Sequence, residues 1–260
     1  MTSIKILICG AMGRMGLTIA NMVHQSSDLV LVGGVDIRSG ELFGAEVVKG
    51  EHMRDLIGRV KPDVVVDFTV AAAAVENIPV AAEMGCAIVL GTTGFSESQR
   101  EKINNAIVAG KVPAVISTNF SIGMNVFWTL VRQAAQQLHE YDVEVIEAHH
   151  RFKKDAPSGT AKKLAQEIAR AKNINLDEVV IYGREGMIGE RKRGEIGIHS
   201  IRSGDITGEH TVMFTALGER LELTHKAHSR DTFAYGTIQA IKFMEGKPAG
   251  FYEMKDVLKI

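Results

Sequence analysis

The sequence predicts an α/β protein that consists of a parallel-sheet domain and a second, α+β domain with a mixed sheet. Apolar runs of strand length alternate with segments of helical periodicity through roughly the first 120 residues, which indicates a parallel sheet covered on both faces. From Glu195 onward, apolar and polar residues alternate between glycine turns, which is typical of an antiparallel or mixed sheet. With 45% apolar residues over 260 positions, the chain can hold one large domain or two smaller ones.

The elements of the first domain follow one another as strand, turn and helix. The opening run SIKILIC, residues 3–9, is continuously apolar, and the segment after it carries apolar residues at helical spacing. Four more β-branched runs predict strands, namely LVLVGGVD (29–36), DVVVDFT (63–69), AIVLGTT (87–93) and VPAVIST (112–118). The segments AAAAVENIPVAAEMG and SESQREKINNAIVAG between the later runs predict helices.

The pattern changes after Asn119, and we therefore place the start of the second domain near residue 121. MNVFWTLVRQAAQQL predicts a long helix, YDVEVIEAHH a half-buried strand and GTAKKLAQEIARA another helix. Three strands with polar alternation follow, GIHSIRSG, EHTVMFTA and ERLELTHKA. The closing segment RDTFAYGTIQAIKFMEG has a helical apolar stripe that is compatible with a return to the first domain.

Charge and cysteine content argue against several classes of function. Thirty Lys and Arg against 31 Asp and Glu give a net charge of -1, so no global field attracts nucleic acid or an anionic membrane surface. The N-terminal run fits neither a signal peptide nor a membrane span, which predicts a cytoplasmic protein. Cys9 and Cys86 lie beside apolar runs and are expected to be buried free thiols. The histidines and cysteines show no C-x-x-C or H-x-x-x-H pairing, the spacings typical of metal ligands, so we expect no metal site.

The segment GAMGRMG, from Gly10 to Gly16, lies between the first strand and the first helix. A turn at this place exposes helix amides at the positive end of the helix dipole, and glycine lets a pyrophosphate approach the backbone. Asp36 ends the second strand, 20 residues after Gly16, where a carboxylate accepts the ribose hydroxyls of an adenosine. These features favour a Rossmann-type dinucleotide site over glycines that serve only tight turns.

The sequence leaves the choice of coenzyme open. Asp36 repels a 2′-phosphate, whereas the guanidiniums of Arg14 and Arg38 can pair with one through charge-assisted hydrogen bonds. The alternative for both arginines is solvated surface charge. We therefore expect NADH, NADPH or both to be used.

Two further loops follow predicted strands at their carboxyl ends, GTTGF from Gly91 and STNFS from Ser117. Ligands of open parallel sheets bind at this edge, so the small hydroxyl residues of these loops are candidates for the nicotinamide end of the site. Helix capping is the alternative for Thr93 and Ser96. For Ser96 we favour capping, because Ser-x-x-Gln is a capping-box pattern.

The segment EAHHRFKKDAPSGTA, residues 147–161, concentrates groups that suit chemistry on an anion. Its Pro-Ser-Gly-Thr turn caps the helix that starts near Thr160, so free amides and a hydroxyl form an anion site. His149, His150 and Lys153 would surround it with donors, which favours a small ligand that carries carboxylates. His149 and Lys153 are also the best candidates for general acids. Each residue alone would more often be structural, but their density indicates function.

This segment, E-A-H-H-x-x-K-x-D-A-P-S-G-T-A, resembles the signature of the 4-hydroxy-tetrahydrodipicolinate reductase family, the dihydrodipicolinate reductases of diaminopimelate and lysine biosynthesis. GAMGRMG, GTTGF, STNFSIGMN, SGDITGEHTV, ERLELTHKA and the closing helix are also similar to that family's pattern, so the likeness covers almost the whole chain. It implies NAD(P)H-dependent reduction of 4-hydroxy-tetrahydrodipicolinate, a small dicarboxylate, to tetrahydrodipicolinate. It also implies a homotetramer.

The resemblance further implies a dinucleotide-binding domain of residues 1–120 and 231–260, and a substrate-binding and tetramerisation domain of residues 121–230. His149 would be the proton donor or acceptor, and Lys153 the second proton donor. The substrate-binding positions would be His150, Gly159 and Thr160. The coenzyme positions would be Gly10, Ala11, Met12, Gly13, Arg14, Met15, Asp36, Arg38, Gly91, Thr92, Thr93, Ser117, Thr118, Asn119 and Phe120.

Two departures from the family's pattern concern the coenzyme. Met12 stands where members often have glycine, which narrows the space above the pyrophosphate. Ile37 separates Arg38 from Asp36, whereas a basic residue often follows the acid directly. The preference between NADH and NADPH therefore does not follow from the resemblance.

Two rival hypotheses remain on the residues alone. Another two-domain dehydrogenase, acting on a semialdehyde or a sugar, is one of them, but a thioester mechanism needs a reactive cysteine and Cys86 lies in a predicted strand. A non-catalytic redox sensor is the other, but it needs an output module, and the sequence shows neither a helix-turn-helix pattern nor a basic stripe.

Overall fold

The computed structural model describes residues 3–260, and its internal contacts divide the chain into two units. The first unit comprises the residues up to Ile122 together with Arg230–Ile260, and the second comprises Gly123–Ser229. The predicted fold class is confirmed, because the first unit holds a mostly parallel sheet and the second a separate mixed sheet. Within residues 3–260, no helix has the length and apolar character that crossing a membrane requires.

The first unit is built on an eight-stranded sheet. Its strands are β1 (Ile4–Cys9), β2 (Leu29–Val35), β3 (Gly40–Leu42), β4 (Ala45–Val48), β5 (Val64–Asp67), β6 (Ala87–Leu90), β7 (Pro113–Ile116) and β13 (Gly250–Tyr252). Across the sheet they lie in the order β13-β7-β6-β5-β1-β2-β4-β3, and only β3 and β4 pair antiparallel.

Helices cover both faces of this sheet, so its central strands are apolar along their whole length. The helices are α1 (Arg14–His24), α2 (Met53–Val60), α3 (Ala71–Glu83), α4 (Glu97–Gly110), α8 (Asp231–Phe243) and α9 (Met254–Leu258). In β1, Ile6 and Ile8 face the core that contains α1 and α8, whereas Leu7 and Cys9 face the core of α2, α3 and α4. The predicted capping box of α4 is confirmed, since Gln99 N donates to Ser96 Oγ at 3.2 Å.

Both cysteines are buried free thiols, as the sequence predicts. Cys9 lies in β1 and Cys86 directly before β6. Burial raises the pKa of each thiol, to about 11 for Cys86. A thiolate at either position is therefore disfavoured, which argues against the thioester chemistry of the first rival hypothesis.

The second unit is built on a five-stranded mixed sheet. Its strands are β8 (Asp142–His149), β9 (Val180–Tyr182), β10 (Ile196–Arg202), β11 (Gly208–Ala216) and β12 (Glu219–Ala227). They lie in the order β12-β11-β8-β10-β9, with β8, β9 and β10 parallel and β11 antiparallel to both neighbours. Helices α5 (Ile122–Gln137) and α6 (Gly159–Lys172) supply much of the core against one sheet face, and α7 (Leu176–Val179) is short.

Several short elements were not predicted from the sequence. In the first unit these are β3, β4, α2, β13 and α9, and in the second unit they are α7 and β9. Each has only three to eight residues, which is too few to establish a clear periodicity. The longer elements all coincide with predicted ones.

Gly236 in α8 is expected to be intolerant of a side chain. A Cβ at this position would lie 1.6 Å from the carbonyl oxygen of Phe120, a backbone atom that cannot rotate away. We expect Gly236→Ala to lower the free energy of unfolding by about 1–3 kcal/mol or more, as overpacking does. Gly58 in α2 is the matched control, because its Cβ would meet nothing within 4 Å. Gly58→Ala should leave stability unchanged or raise it by roughly 0.5–1 kcal/mol, and equal denaturation midpoints for the two variants would contradict this.

Candidate active site

The glycine turn after β1 places an uncapped helix end at the carboxyl edge of the first sheet. Gly10 has φ of +77°, which favours glycine, and Gly13 is the N-cap of α1 with no side-chain cap. A Cβ at Gly16 would lie 2.0 Å from Gly10 O, so glycine is also needed for the turn to pack on the helix. The first amides of α1 are thus available to an anion.

Asp36 holds this turn in place. Its Oδ2 accepts a hydrogen bond from Met12 N at 2.9 Å, and its Oδ1 accepts one from Ile37 N at 2.8 Å. The Met12 side chain packs against the core, and its Cε would lie 2.6 Å from a Cβ at Gly40. Met12 therefore contributes a backbone amide to Asp36 and its side chain to packing.

A cavity of about 1020 Å³ opens beside this turn, within the first unit. Of the predicted coenzyme residues, Gly10, Gly13 and Asp36 line it. Arg14 and Arg38 are exposed. Three of the predicted coenzyme residues thus lie in one cavity, whose volume is at the upper end of the range usual for ligand pockets.

The remaining predicted coenzyme residues lie in loops along the same sheet edge. Gly91–Thr93 follow β6, and Ser117–Phe120 follow β7. Among them Thr92 and Phe120 are 5% and 2% exposed, and the Phe120 side chain belongs to the core that contains α1 and α8. Ala11 is fully buried and Met15 is half-buried, so these two residues also support packing.

Asp67, at the end of β5, is a buried carboxylate that the sequence reasoning missed. Its side chain is 0% exposed. It accepts hydrogen bonds from Thr69 N and Oγ1 at 3.0 and 2.7 Å, from Asn77 Nδ2 at 2.9 Å and from Thr92 Oγ1 at 2.7 Å. It therefore ties together the loop after β5, helix α3 and the loop after β6. The only available signal was an acid that ends the apolar run DVVVD.

In the second unit, His149 at the end of β8 is held by Glu147 on the same face of the strand. His149 Nδ1 lies 2.6 Å from Glu147 Oε2, and the Glu147 side chain is 0% exposed. Arg202 donates to both carboxylate oxygens, from Nη1 to Oε2 at 2.9 Å and from Nη2 to Oε1 at 2.8 Å. Burial raises the pKa of Glu147, but the hydrogen bonds from His149 and Arg202 outweigh it and hold that pKa well below its ordinary value.

The predicted helix cap is part of the same cluster. Ser158 is the N-cap of α6, and its Oγ accepts from Ala161 N at 3.1 Å while Ser158 N donates to Glu147 Oε1 at 3.1 Å. The same Oγ lies 3.2 Å from Nε2 of His210, which is 4% exposed. Burial and the nearby charge of His149 lower the pKa of His210 to about 3, so His210 is neutral at physiological pH.

Lys153 lies in the loop between β8 and α6. Its Nζ is 2.8 Å from Asp155 Oδ1, and its backbone amide donates to His150 O at 3.1 Å. The hydrogen bond from Lys153 lowers the pKa of Asp155. The loop is also held by Arg202, whose Nη2 donates to Asp155 O at 2.6 Å. One guanidinium thus supports both the His149 pair and the lysine loop.

Two of the three predicted substrate-binding residues begin helix α6, and the third, His150, directly follows His149 at the end of β8. Gly159 and Thr160 are its first two residues, exposed and half-buried respectively. His150 is half-buried, and its Nδ1 is buried without a hydrogen-bond partner in the part of the protein that the structure describes. The start of α6 and the His150 imidazole thus follow His149 closely along the chain, and a helix N-terminus favours an anion.

Sequence reasoning missed Glu147, Arg202 and His210 as parts of this cluster. Glu147 carried a signal, because alternation from Val143 and Val145 places it on the buried face of β8. Arg202 and His210 carried none, since they come from β10 and β11 and reach the cluster through sheet register. Arg202 pairs with His149, and His210 with Glu147.

Comparison with known proteins identifies the family. The model for "Dihydrodipicolinate reductase, N-terminus" matches residues 4–120, and the model for the C-terminus of the same enzyme matches residues 123–258. The chain belongs to the dihydrodipicolinate reductase family. The family resemblance noted in the sequence is thereby confirmed, and so is the predicted class of enzyme, a reductase.

Full-length relatives carry the name of the same activity. A 4-hydroxy-tetrahydrodipicolinate reductase of Methanospirillum hungatei is 54% identical over 257 residues, covering 99% of each chain. One of Methanoregula boonei is 52% identical over 254 residues, covering 98% of this chain and 97% of its own. A dipicolinate-bound dihydrodipicolinate reductase from Paenisporosarcina sp. TG-14 superposes with a TM-score of 0.77 at 26% identity, covering 97% and 98% of the two chains.

A more distant likeness shows the fold alone. Scyllo-inositol dehydrogenase from Lactobacillus casei, with bound NAD(H) and scyllo-inositol, has a TM-score of 0.61 at 13% identity and covers 99% of this chain and 94% of its own. This likeness does not support the rival hypothesis of a sugar dehydrogenase, because proteins that share a fold at this level of identity often act on different substrates.

Proposed function

We propose that this protein catalyses the NAD(P)H-dependent reduction of 4-hydroxy-tetrahydrodipicolinate to tetrahydrodipicolinate, a step of diaminopimelate and lysine biosynthesis. The observation that carries the proposal is the cluster of His149, Lys153 and the N-terminus of α6 in a member of this family. Full-length relatives named for this activity and the dipicolinate-bound structure support a small dicarboxylate as the substrate.

The coenzyme binds the first unit in this proposal. The uncapped amides of α1 receive the pyrophosphate, and the cavity lined by Gly10, Gly13 and Asp36 receives the adenosine half. Arg14 and Arg38 are exposed near this edge and can pair with a 2′-phosphate, so we propose that NADH and NADPH are both accepted. The bound nicotinamide supplies the hydride.

The second unit binds the substrate and supplies protons. The amides at Gly159 and Thr160, with His150, hold carboxylates. The 4-hydroxyl group leaves as water, and the conjugated imine that remains takes up one hydride and one proton. His149 and Lys153 supply the protons for the departing hydroxyl and for the ring atom on which electron density develops as hydride arrives. The Glu147 carboxylate keeps the imidazole of His149 oriented, and Asp155 keeps Lys153 within the loop.

A coupled assay tests the proposal directly. The substrate is generated in place, and the absorbance of NADH and of NADPH is followed in separate reactions. We expect consumption of at least one coenzyme and competitive inhibition by pyridine-2,6-dicarboxylate. A protein that binds coenzyme but consumes neither form in the presence of substrate would instead support the redox-sensor hypothesis.

We also propose a cytoplasmic homotetramer, following the family resemblance. Large apolar side chains that are exposed in the second unit support self-association. They are Tyr182, Met187, Ile188, Ile201, Leu217 and Leu221. Sedimentation of the purified protein measures the assembly.

Asp67→Ala is expected to weaken coenzyme binding and to lower stability. The change removes the acceptor shared by Thr69, Asn77 and Thr92, and each buried donor left without a partner costs about 1–3 kcal/mol. Thr92→Val removes only one of these hydrogen bonds and should show a smaller effect in the same direction. Calorimetric titration with coenzyme and urea unfolding measure the two effects. A folded Asp67→Ala variant with unchanged coenzyme affinity would exclude this role.

A further inference from the structure

Glu147 is a charged group in a place where an isolated charge would be strongly disfavoured. Its side chain is 0% exposed, and its oxygens accept hydrogen bonds from His149, Ser158 N and Arg202, with a further one from the Ser200 side chain. Arg202 neutralises the charge through two parallel contacts, the geometry in which guanidinium and carboxylate pair best. Because these contacts favour the charged form, Glu147 stays ionised.

An ionised carboxylate fixes the tautomer of the imidazole beside it. Carboxylate oxygens only accept hydrogen bonds, so the 2.6 Å contact requires His149 Nδ1 to carry a hydrogen and donate it. In the neutral ring, Nε2 then has no hydrogen and is the atom that exchanges protons. The backbone of His149 is fixed as well, because its carbonyl accepts from Ser203 N at 2.9 Å.

The residue beside His149 Nε2 is Gly208, and its lack of a side chain leaves space around this atom. A Cβ at Gly208 would lie 3.1 Å from His149 Nε2, so any other residue there would crowd this atom. His210 packs edge-on to the His149 ring, with centroids 5.2 Å apart, and limits its rotation. The titratable groups in contact with the ring are Glu147 on β8 and His210 on β11, and Arg202 on β10 pairs with Glu147. Lys153, in the loop before α6, and His225, on β12, act electrostatically on His210.

We propose that Glu147 and Arg202 are positioning residues that fix His149 as the Nδ1–H tautomer, with Nε2 as the proton-exchanging atom. In the transfer step the Nε2–H bond of the imidazolium breaks, the proton passes to the substrate, and the ring is left neutral with its hydrogen on Nδ1. Glu147 keeps its charge throughout. The inference rests on the proposed function for the identity of the acceptor, but the tautomer itself does not depend on turnover.

Glu147→Gln tests the inference, with Glu144→Gln as the matched control. Glu144 lies on the same strand, and its carboxylate also contacts a histidine and two arginines, His199 at 2.7 Å, Arg184 at 2.9 Å and Arg191 at 3.2 Å. It faces the opposite side of β8, away from His149. We expect Glu147→Gln to lower kcat by roughly 10²-fold or more, with the inhibition constant of pyridine-2,6-dicarboxylate changed far less. Glu144→Gln should leave kcat unchanged.

NMR of isotopically labelled histidine ring nitrogens reads the tautomer without any reaction. The His149 signals, assigned by their loss in His149→Gln and recorded at a pH where the ring is neutral, should show Nδ1–H in the wild-type protein and a mixture of tautomers in Glu147→Gln. Arg202→Lys keeps a positive charge but loses the paired contact, so it should give an intermediate loss of kcat and provides a second variant if Glu147→Gln does not fold.

Wild-type kcat in a folded Glu147→Gln or Arg202→Lys variant would overturn the inference. So would a wild-type His149 spectrum, recorded at a pH where the ring is neutral, that shows the hydrogen on Nε2 and none on Nδ1. Absence of turnover in the wild-type protein, together with the expected spectrum, would instead contradict the proposed function and leave the tautomer assignment standing.

Discussion

Replacing Lys153 with alanine is expected to lower kcat by roughly 10²- to 10⁴-fold, the usual contribution of a positioned general acid. The ammonium is available for this role because its side chain is 21% exposed, and its partner Asp155 is an exposed carboxylate that a bound anion can replace. Coenzyme affinity should not change, since the residues proposed to hold the coenzyme all belong to the first unit. Steady-state kinetics and coenzyme titration measure the two quantities separately.

Lys154→Ala is the control for that variant. Lys154 is the next residue in the same loop and is exposed, so its removal changes the net charge equally without removing the proposed donor. The Lys153 variant should also raise KM for the dicarboxylate, because Asp155 is left without its cation beside the anion site. Unchanged turnover in Lys153→Ala would refute the role of this residue.

Replacing His149 with glutamine is expected to cause a loss of kcat of similar size, roughly 10²- to 10⁴-fold. Glutamine can still donate a hydrogen bond to Glu147, but it does not ionise, so it separates proton transfer from packing. The neighbouring His210 should not take over, because its burial, the largest cause that lowers its pKa, remains in the variant. Single-turnover kinetics with preformed coenzyme complex isolates the chemical step.

The double variant His149→Gln/Lys153→Ala decides whether the two residues act together. If both serve one protonation step, the double variant should lose little more activity than the worse single variant, because residues that act as a unit are not additive. Fully multiplicative losses would indicate two separate steps.

Much of this site could be predicted from the sequence. The residues that were missed reach the site only through the pairing of strands that are distant along the chain. His149, Lys153 and the cap of α6 lie within fifteen residues, so one local segment revealed them. Arg202 and His210 are more than fifty residues from Glu147 along the chain, and only the register of β10 and β11 against β8 brings them beside it. A single sequence contains no signal for such pairings.

In the first unit, too, residues that are close in sequence were predicted, and a residue whose partners lie in other elements was not. The turn from Gly10 and the acid at Asp36 were predicted because their spacing along the chain is itself the signal. Asp67 was not, because its partners Asn77 and Thr92 lie in other elements and its carboxylate reaches them only in the folded sheet. The four-residue strands β5, β6 and β7 were predicted because they lie in continuous apolar runs, whereas β3 (GEL) and β4 (AEVV) each contain a glutamate that interrupts the apolar pattern.

The two-residue spacing of Glu147 and His149 also limits how such a dyad can be engineered. Both side chains face the same way only because β8 is extended between them, and a single inserted residue would send the imidazole to the opposite side. A designer who wishes to graft this dyad onto another scaffold therefore needs an extended donor segment, a bidentate arginine on the adjacent parallel strand, and a glycine on the antiparallel one.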